Sequence, residues 1–350
     1  MLNISKIVIA FLFIIASVFN AAISHADTFN LGAKYIAQGG AVVANGNDVF
    51  AMAVNPANAL VHREGGFIEF AISGASINRV SFDEEQMPTL ARETEVPFIG
   101  LSYANSWFSL GYISQSYGEQ QSFEFGDRRR RVIESVGLNK TSVALGLGNV
   151  LSDDEKFTYG FGISLELFEG GFGRDAKYKA SGNTYSLKTA YQFNKAFARH
   201  DIGLGLSFGM SYSDEVTPDL ENTDNVVLRP EIKQVGASVE LTHLNTSLPW
   251  VLSISADVAD AETQSNLLTD RFILGGSTRT GAEIRLLQPF GTEIDLALRA
   301  GQKTYDDLDS SFSSAGLGFN YGNLFVDLSG HEDEFADGEV AYHVSLTWTF

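Results

Sequence analysis

Catalysis needs a nucleophile or metal, a base and an orienting group brought to one place, and the residues that supply them are sparse in this chain. It has no cysteine, which removes thiol nucleophiles, thiolate metal sites and disulfides together. The histidines are His25, His62, His200, His243, His331 and His343. His331 stands before Glu332, Asp333 and Glu334 in a polar stretch that reads as a loop, and His343 lies on the polar phase of an alternating segment. Each reads as a solvated histidine without triad partners. The acidic stretches lack the spacing of a calcium loop. No enzymatic activity, metal or cofactor is therefore expected. One basic cluster, Arg128, Arg129, Arg130 and Arg131, suits phosphate groups or loop carboxylates such as Asp83, Glu84 and Glu85.

The elements that must position these residues are legible at the end of the chain. Val340, Tyr342, Val344, Leu346, Trp348 and Phe350 alternate with Ala341, His343, Ser345, Thr347 and Thr349. Successive side chains on a strand point to opposite faces, so one face is continuously apolar and the other small or polar. The same period recurs at Tyr159, Phe161, Ile163, Leu165 and Leu167 and at Trp250, Leu252, Ile254, Ala256 and Val258. Glu166, Glu240, Asp257, Glu283, Arg285, Asp295 and Arg299 occupy the opposite phase. These charges are expected to pair across strands or line a pathway. With 34 glycines, 12 % aromatics and a mean hydropathy of zero, the chain fits a barrel whose strands face lipid on one side and a polar lumen on the other. A net charge of −19 argues against nucleic acid as a partner.

About fourteen such segments fill residues 66–350, an even number as in single-chain bacterial barrels. Alternate connections differ in length. The stretches 83–95, 119–130, 169–176, 214–229, 260–270, 303–310 and 331–337 read as long polar loops, and those between them as shorter turns. This asymmetry of long outer loops and short periplasmic turns places both ends of the barrel on the periplasmic side.

Residues 1–26 carry Lys6, an apolar run and the small-residue close Ser24-His25-Ala26, the pattern of a secretory signal peptide cleaved near Ala26. Residues 27–65 are not strand-like. Asp48 can cap a short helix over residues 49–54, and Asn55-Pro56 would stop it.

The run Gly40-Ala41, Val43-Ala44, Asp48, Asn55-Pro56-Ala57 and Leu60 resembles the N-terminal signature of the FadL-like superfamily of outer-membrane proteins. That superfamily includes fatty-acid and hydrocarbon transporters and the PorV/PorQ group, and Leu31-Gly32-Ala33-Lys34 with Gly39-Gly40-Ala41 looks closer to the PorV-like branch. The terminal strand, through Tyr342, Val344, Leu346, Trp348 and Phe350, resembles the signal strand read by the barrel-assembly machinery. The resemblance implies an all-β fold, a transmembrane antiparallel β-barrel with an N-terminal plug or hatch in the cell outer membrane. Gly40, Asp48, Asn55, Pro56 and Ala57 would be hatch residues. Passive transport of a small hydrophobic compound is the function it implies, with a non-transporting docking component of a secretion or conjugation system as the alternative. Expected partners are outer-membrane lipid, lipopolysaccharide, which the arginine cluster could bind, the assembly machinery, and a hydrophobic small molecule or a secretion-system protein.

Overall fold

A computed structural model describes residues 31–59, 66–82, 88–105, 108–126, 129–150, 155–172, 176–197, 202–217, 229–261, 276–305, 310–332 and 340–350. The leader at 1–26, Leu60 and Arg128 lie outside the described residues, as do the side chains of Arg129, Arg130 and Arg131.

The alternating segments form strands β1 (Phe67–Phe82), β2 (Pro88–Ala104), β3 (Phe108–Gly126), β4 (Arg129–Val150), β5 (Glu155–Phe172), β6 (Ala176–Phe197) and β7 (Ile202–Ser213). They continue as β8 (Ile232–His243), β9 (Trp250–Ala261), β10 (Ser277–Leu286), β11 (Ile294–Tyr305), β12 (Ser310–Tyr321), β13 (Leu324–Glu332) and β14 (Val340–Thr349). Each strand pairs antiparallel with its sequence neighbours, and β1 pairs with β14, so the sheet closes on itself. Closure removes the two free edges that an open sheet would expose, the condition a sheet must meet where there is no water to satisfy its backbone.

The polarity of this barrel is inverted relative to a water-soluble one. Phe161, Leu165 and Leu298 are 58 %, 60 % and 56 % exposed on the outside, whereas Glu166, Asp257 and Arg279 on the inward phase are at most 1 % exposed. An apolar outer band with a polar interior is what a hydrocarbon surround selects. Tyr342, Val344, Leu346, Trp348 and Phe350 all lie on this outer face. No helix among the described residues is long and apolar enough to cross a membrane.

Several stretches expected to be loops are strand. β2 begins at Pro88, β3 runs on to Gly126, β4 starts at Arg129 and β5 reaches Phe172. Charged residues such as Arg92, Glu93 and Glu124 mask these extensions in the sequence, yet their backbones are paired in register. Beyond the apolar band a ladder needs only backbone hydrogen bonds, and both faces can carry polar side chains. His331 likewise belongs to β13, not to a loop.

Residues 31–59 lie inside the ring. They form helix α1 (Ala33–Ile36), helix α2 (Val49–Met52) and a 3-10 turn (Pro56–Ala59). The second helix is shorter than the expected 49–54, because its C-cap falls at Ala53. After α1 the chain reverses through Gly39 and Gly40, both with positive φ of 64° and 82°, where the Gly40 N–H donates to the Tyr35 carbonyl at 2.8 Å. A left-handed pair of this kind suits glycine, which has no Cβ to strain.

The segment sits against the wall where the wall has no side chains. A Cβ on Gly281 or Gly316 would stand 2.6 Å from the Cβ of Gln38 or Ala37, and one on Gly100 would stand 2.7 Å from a Val49 methyl. At Gly111 it would meet the end of Met52, at Gly162 the Pro56-Ala57 peptide, at Gly209 the Val43 carbonyl and at Gly301 the Gly39 amide. Seven strands thus present a glycine to the segment, which circles the lumen from α1 on β12, β13 and β14 to α2 on β1, β2 and β3 and the 3-10 turn on β4, β5 and β6.

Gly301→Val should unseat this region, since overpacking costs about 1–3 kcal/mol. Amide hydrogen exchange across residues 31–59, followed by mass spectrometry, is expected to quicken about tenfold or more while the strands keep their protection. Unchanged exchange in the segment would contradict the close-approach account.

Candidate functional site

The site is the contact between the luminal segment and the wall, together with the cavity beside it. Asp257 on β9 projects inward and is fully buried. Its Oδ2 accepts the amides of Val42 at 2.5 Å and Val43 at 2.7 Å. Arg279 on β10 stands directly opposite it in the ladder, so the buried carboxylate faces both backbone donors and a cation. Glu69 on β1 does the same for α2, accepting the Val49 amide at 2.7 Å. Serines take the remaining amides: Ser345 from Ala33 at 3.2 Å, Ser314 from Gly39 at 3.1 Å and Ser186 from Ala57 at 3.0 Å.

The residues expected from the sequence occupy joints of this segment. Asp48 is the N-cap of α2, accepting the Ala51 amide at 3.0 Å, and it also receives the Tyr35 hydroxyl at 2.7 Å and Lys34 at 3.3 Å. Burial, and then the Asp48 charge, push the Tyr35 phenol well above its ordinary range, so it remains a donor. Asn55 donates to the carbonyls of Val43 at 2.9 Å and Leu187 at 3.3 Å and accepts the Ala57 amide at 3.0 Å. It ties two turns of the segment to β6. Pro56 and Ala57 seat on Gly162, and Gly40 closes the turn after α1. The side chains of the arginine run at 128–131 lie outside the described residues.

The opposite-phase charges divide into pairs and lining. Arg299 bridges Glu283 at 2.5 Å and Asp327 at 2.6 Å across β10, β11 and β13. All three are buried, and removing one partner of such a group typically costs about 3–5 kcal/mol. Glu166 pairs with Arg229, and Asp295 accepts from Asn320 at 3.0 Å.

Two surroundings of different polarity result. Toward β1, β2 and β3 the segment is apolar. Val49, Phe50 and Met52 pack with the wall residues Ala71, Phe98 and Ile113, and the Phe50 and Phe98 rings lie 4.5 Å apart. On the short-connection side lies a cavity of about 410 Å³ whose lining includes Lys34, Lys188, Glu240, Glu283, Arg285 and Asp327. Lys188 reaches across it to the Gly46 carbonyl. Sequence reasoning missed the amide-binding role of Asp257 and Glu69 and the glycine seat; inward-phase glycines on many strands were the available signal.

No protein-family model matches the chain, and no curated protein matches it in sequence. Among solved structures, the P. putida toluene transporter TodX superposes with a TM-score of 0.55 and 13 % identity, covering 92 % of this chain and 99 % of that one. A TodX deltaS2S3 mutant, described as a monoaromatic hydrocarbon channel, gives 0.50 and 12 %, covering 91 % and 97 %. A Pseudomonas aeruginosa FadL homologue gives 0.44 and 12 %, covering 91 % and 98 %. At these identities the TodX likeness establishes a shared barrel fold and nothing about a ligand.

Replacing the shared acceptor tests the anchoring. Asp257→Ala leaves the Val42 and Val43 amides without their acceptor, at about 1–3 kcal/mol for each buried group. Exchange protection of those two amides, read by NMR in detergent micelles, should fall in the order wild type, Asp257→Asn, Asp257→Ala. Equal protection in all three would show that another group holds the turn.

Proposed function

We propose that this FadL-like barrel resides in the outer membrane and passes small hydrophobic compounds of the fatty-acid or hydrocarbon type, with residues 31–59 as a displaceable plug or hatch. The observation that carries the reading is the two-sided contact of that segment. On the β1–β3 side it is held by apolar packing against Phe98 and Ile113 around one amide bond to Glu69, and the apolar part is a surface for which a hydrophobic compound can compete. Elsewhere it is held largely by hydrogen bonds from its amides to Asp257, Ser186, Ser314 and Ser345. A neutral hydrogen bond of this kind is worth a net ~0.5–1.5 kcal/mol and one to a charged group ~1.5–3 kcal/mol, and water can take the place of either. A compound wedged at the apolar side therefore lets the polar side be rehydrated, and the segment shifts while the wall stays closed. Movement is down a gradient and uses no cofactor.

In this reading residues 1–26 are the export signal, the short connections face the periplasm, and the outward face of β14 is what the assembly machinery recognises. Gly40, Asp48, Asn55, Pro56 and Ala57 keep the segment shaped so that it moves as a unit. Lipopolysaccharide meets the long-loop end, where the arginine cluster is proposed to bind its phosphates. One observation favours a second role, a non-transporting PorV-like docking barrel: the cavity on the periplasmic side is lined by charge, a poor surround for an apolar solute.

Because the chain has no cysteine, a crosslink can be placed cleanly. Val49→Cys with Gly100→Cys joins α2 to β2 where the Val49 side chain fills the glycine's empty position. Cells carrying the reduced double variant should take up labelled toluene or oleate as wild type does. Oxidation should bring uptake down to that of cells lacking the barrel, and reductant should restore it. Uptake untouched by the crosslink would dismiss the moving plug. No uptake above background in the wild type would leave the docking role standing.

A further inference from the structure

His331 and His343 read from the sequence as separate solvated side chains, and the fold stacks them in the wall of the lumen. Their ring centroids are 5.0 Å apart with planes 26° from parallel, and they are 9 % and 4 % exposed. The register explains the meeting: His331 lies opposite Ala341, so His343 is its diagonal neighbour on the same face of β13 and β14. From this arrangement we infer that the pair binds one divalent late transition metal ion, such as Cu²⁺ or Zn²⁺.

The second observation is a set of unsatisfied atoms around the same point. Neither ring nitrogen of His343 has a hydrogen-bond partner among protein atoms, and the hydroxyls of Ser329 and Ser73 also have none. Ser329 is directly opposite His343 on β13. Ser73 lies on β1 two residues from Ala75, which is directly opposite His343 on the other side. All three residues are buried, where polar groups without partners are costly. Water would satisfy two hydroxyls, but adjacent imidazoles present two borderline-soft lone pairs, the donor set that Zn²⁺, Ni²⁺ and Cu²⁺ prefer over Ca²⁺ or Mg²⁺.

The separation also suits chelation. With metal–nitrogen bonds of about 2.0–2.1 Å, two imidazoles whose centroids stay 5.0 Å apart subtend roughly 100° at a shared ion once the rings turn to aim at it. Among the described residues no third histidine or carboxylate joins the pair. Water and the serine hydroxyls complete the shell, and binding is correspondingly modest.

The test uses the untagged, folded barrel in detergent. Cu²⁺ is titrated and read by electron paramagnetic resonance, and Zn²⁺ is titrated by calorimetry. The expected result is one saturable ion per chain, with a nitrogen hyperfine pattern from two imidazoles. Loss of a group that merely supports a metal ligand costs about 10- to 100-fold in affinity. His343→Gln and His331→Ala, checked for an unchanged thermal melt, should therefore each weaken binding at least tenfold. His243→Ala, at a histidine packed on Trp250, should leave it unaltered. Absence of saturable binding, binding that survives both luminal substitutions, or equal loss in His243→Ala would overturn the assignment.

Discussion

A polypeptide backbone can lie against the inner face of a sheet only where that face carries no side chains, and this limit organises the molecule. Seven strands place glycine where residues 37–57 press against them. The polar groups of the segment then come within reach of wall acceptors, so Asp257, Glu69 and the serines can bond amides directly. Without the glycines these contacts would be held apart by at least a methyl group, and a buried backbone left short of its partners is costly. Packing space comes first, and the hydrogen bonds follow from it.

The same inward face carries the charge, because the outward face is apolar. Burying a charge is tolerable only with a partner. The wall meets this through cross-strand groups such as Glu283, Arg299 and Asp327 and through carboxylates that use the segment's own amides as partners. The luminal segment is therefore part of the electrostatic completion of the wall, not an object laid in an otherwise finished barrel. This gives a physical reason for a small-residue sequence there: Gly39, Val42, Val43 and Val49 donate their amides to wall acceptors, and small neighbours such as Gly40, Ala41 and Ala44 let the backbone come close.

Much of this was legible in the amino-acid order. A period of two cannot be hidden, so the strands and their faces could be read at Tyr159–Leu167 and at the C-terminal segment. Helix capping by Asp48 is local chemistry, visible in a few residues, whereas the helix ends at Ala53, short of the stop expected at Asn55-Pro56. Strand ends past the apolar band were not legible, because Arg92 or Glu124 in a ladder looks the same as in a loop. Neither was the division of labour among inward charges. Asp257 and Glu240 share a phase, and only the seating of Val42 and Val43 makes one an anchor and leaves the other lining a cavity. His331 and His343 are twelve positions apart in the chain, and only the register of β13 on β14 brings their rings together.

The bond from the Ala33 amide to Ser345 spans 312 positions of sequence. The two helices of the segment have four residues each, far below the length at which a helix holds its shape alone in water. Their order must come from the wall, and a full complement of contacts exists only once β14 has joined β1. Contacts this distant in sequence are slow to form. The earliest described residues of the chain therefore gain their full set of partners only in a closed ring, from its last strand.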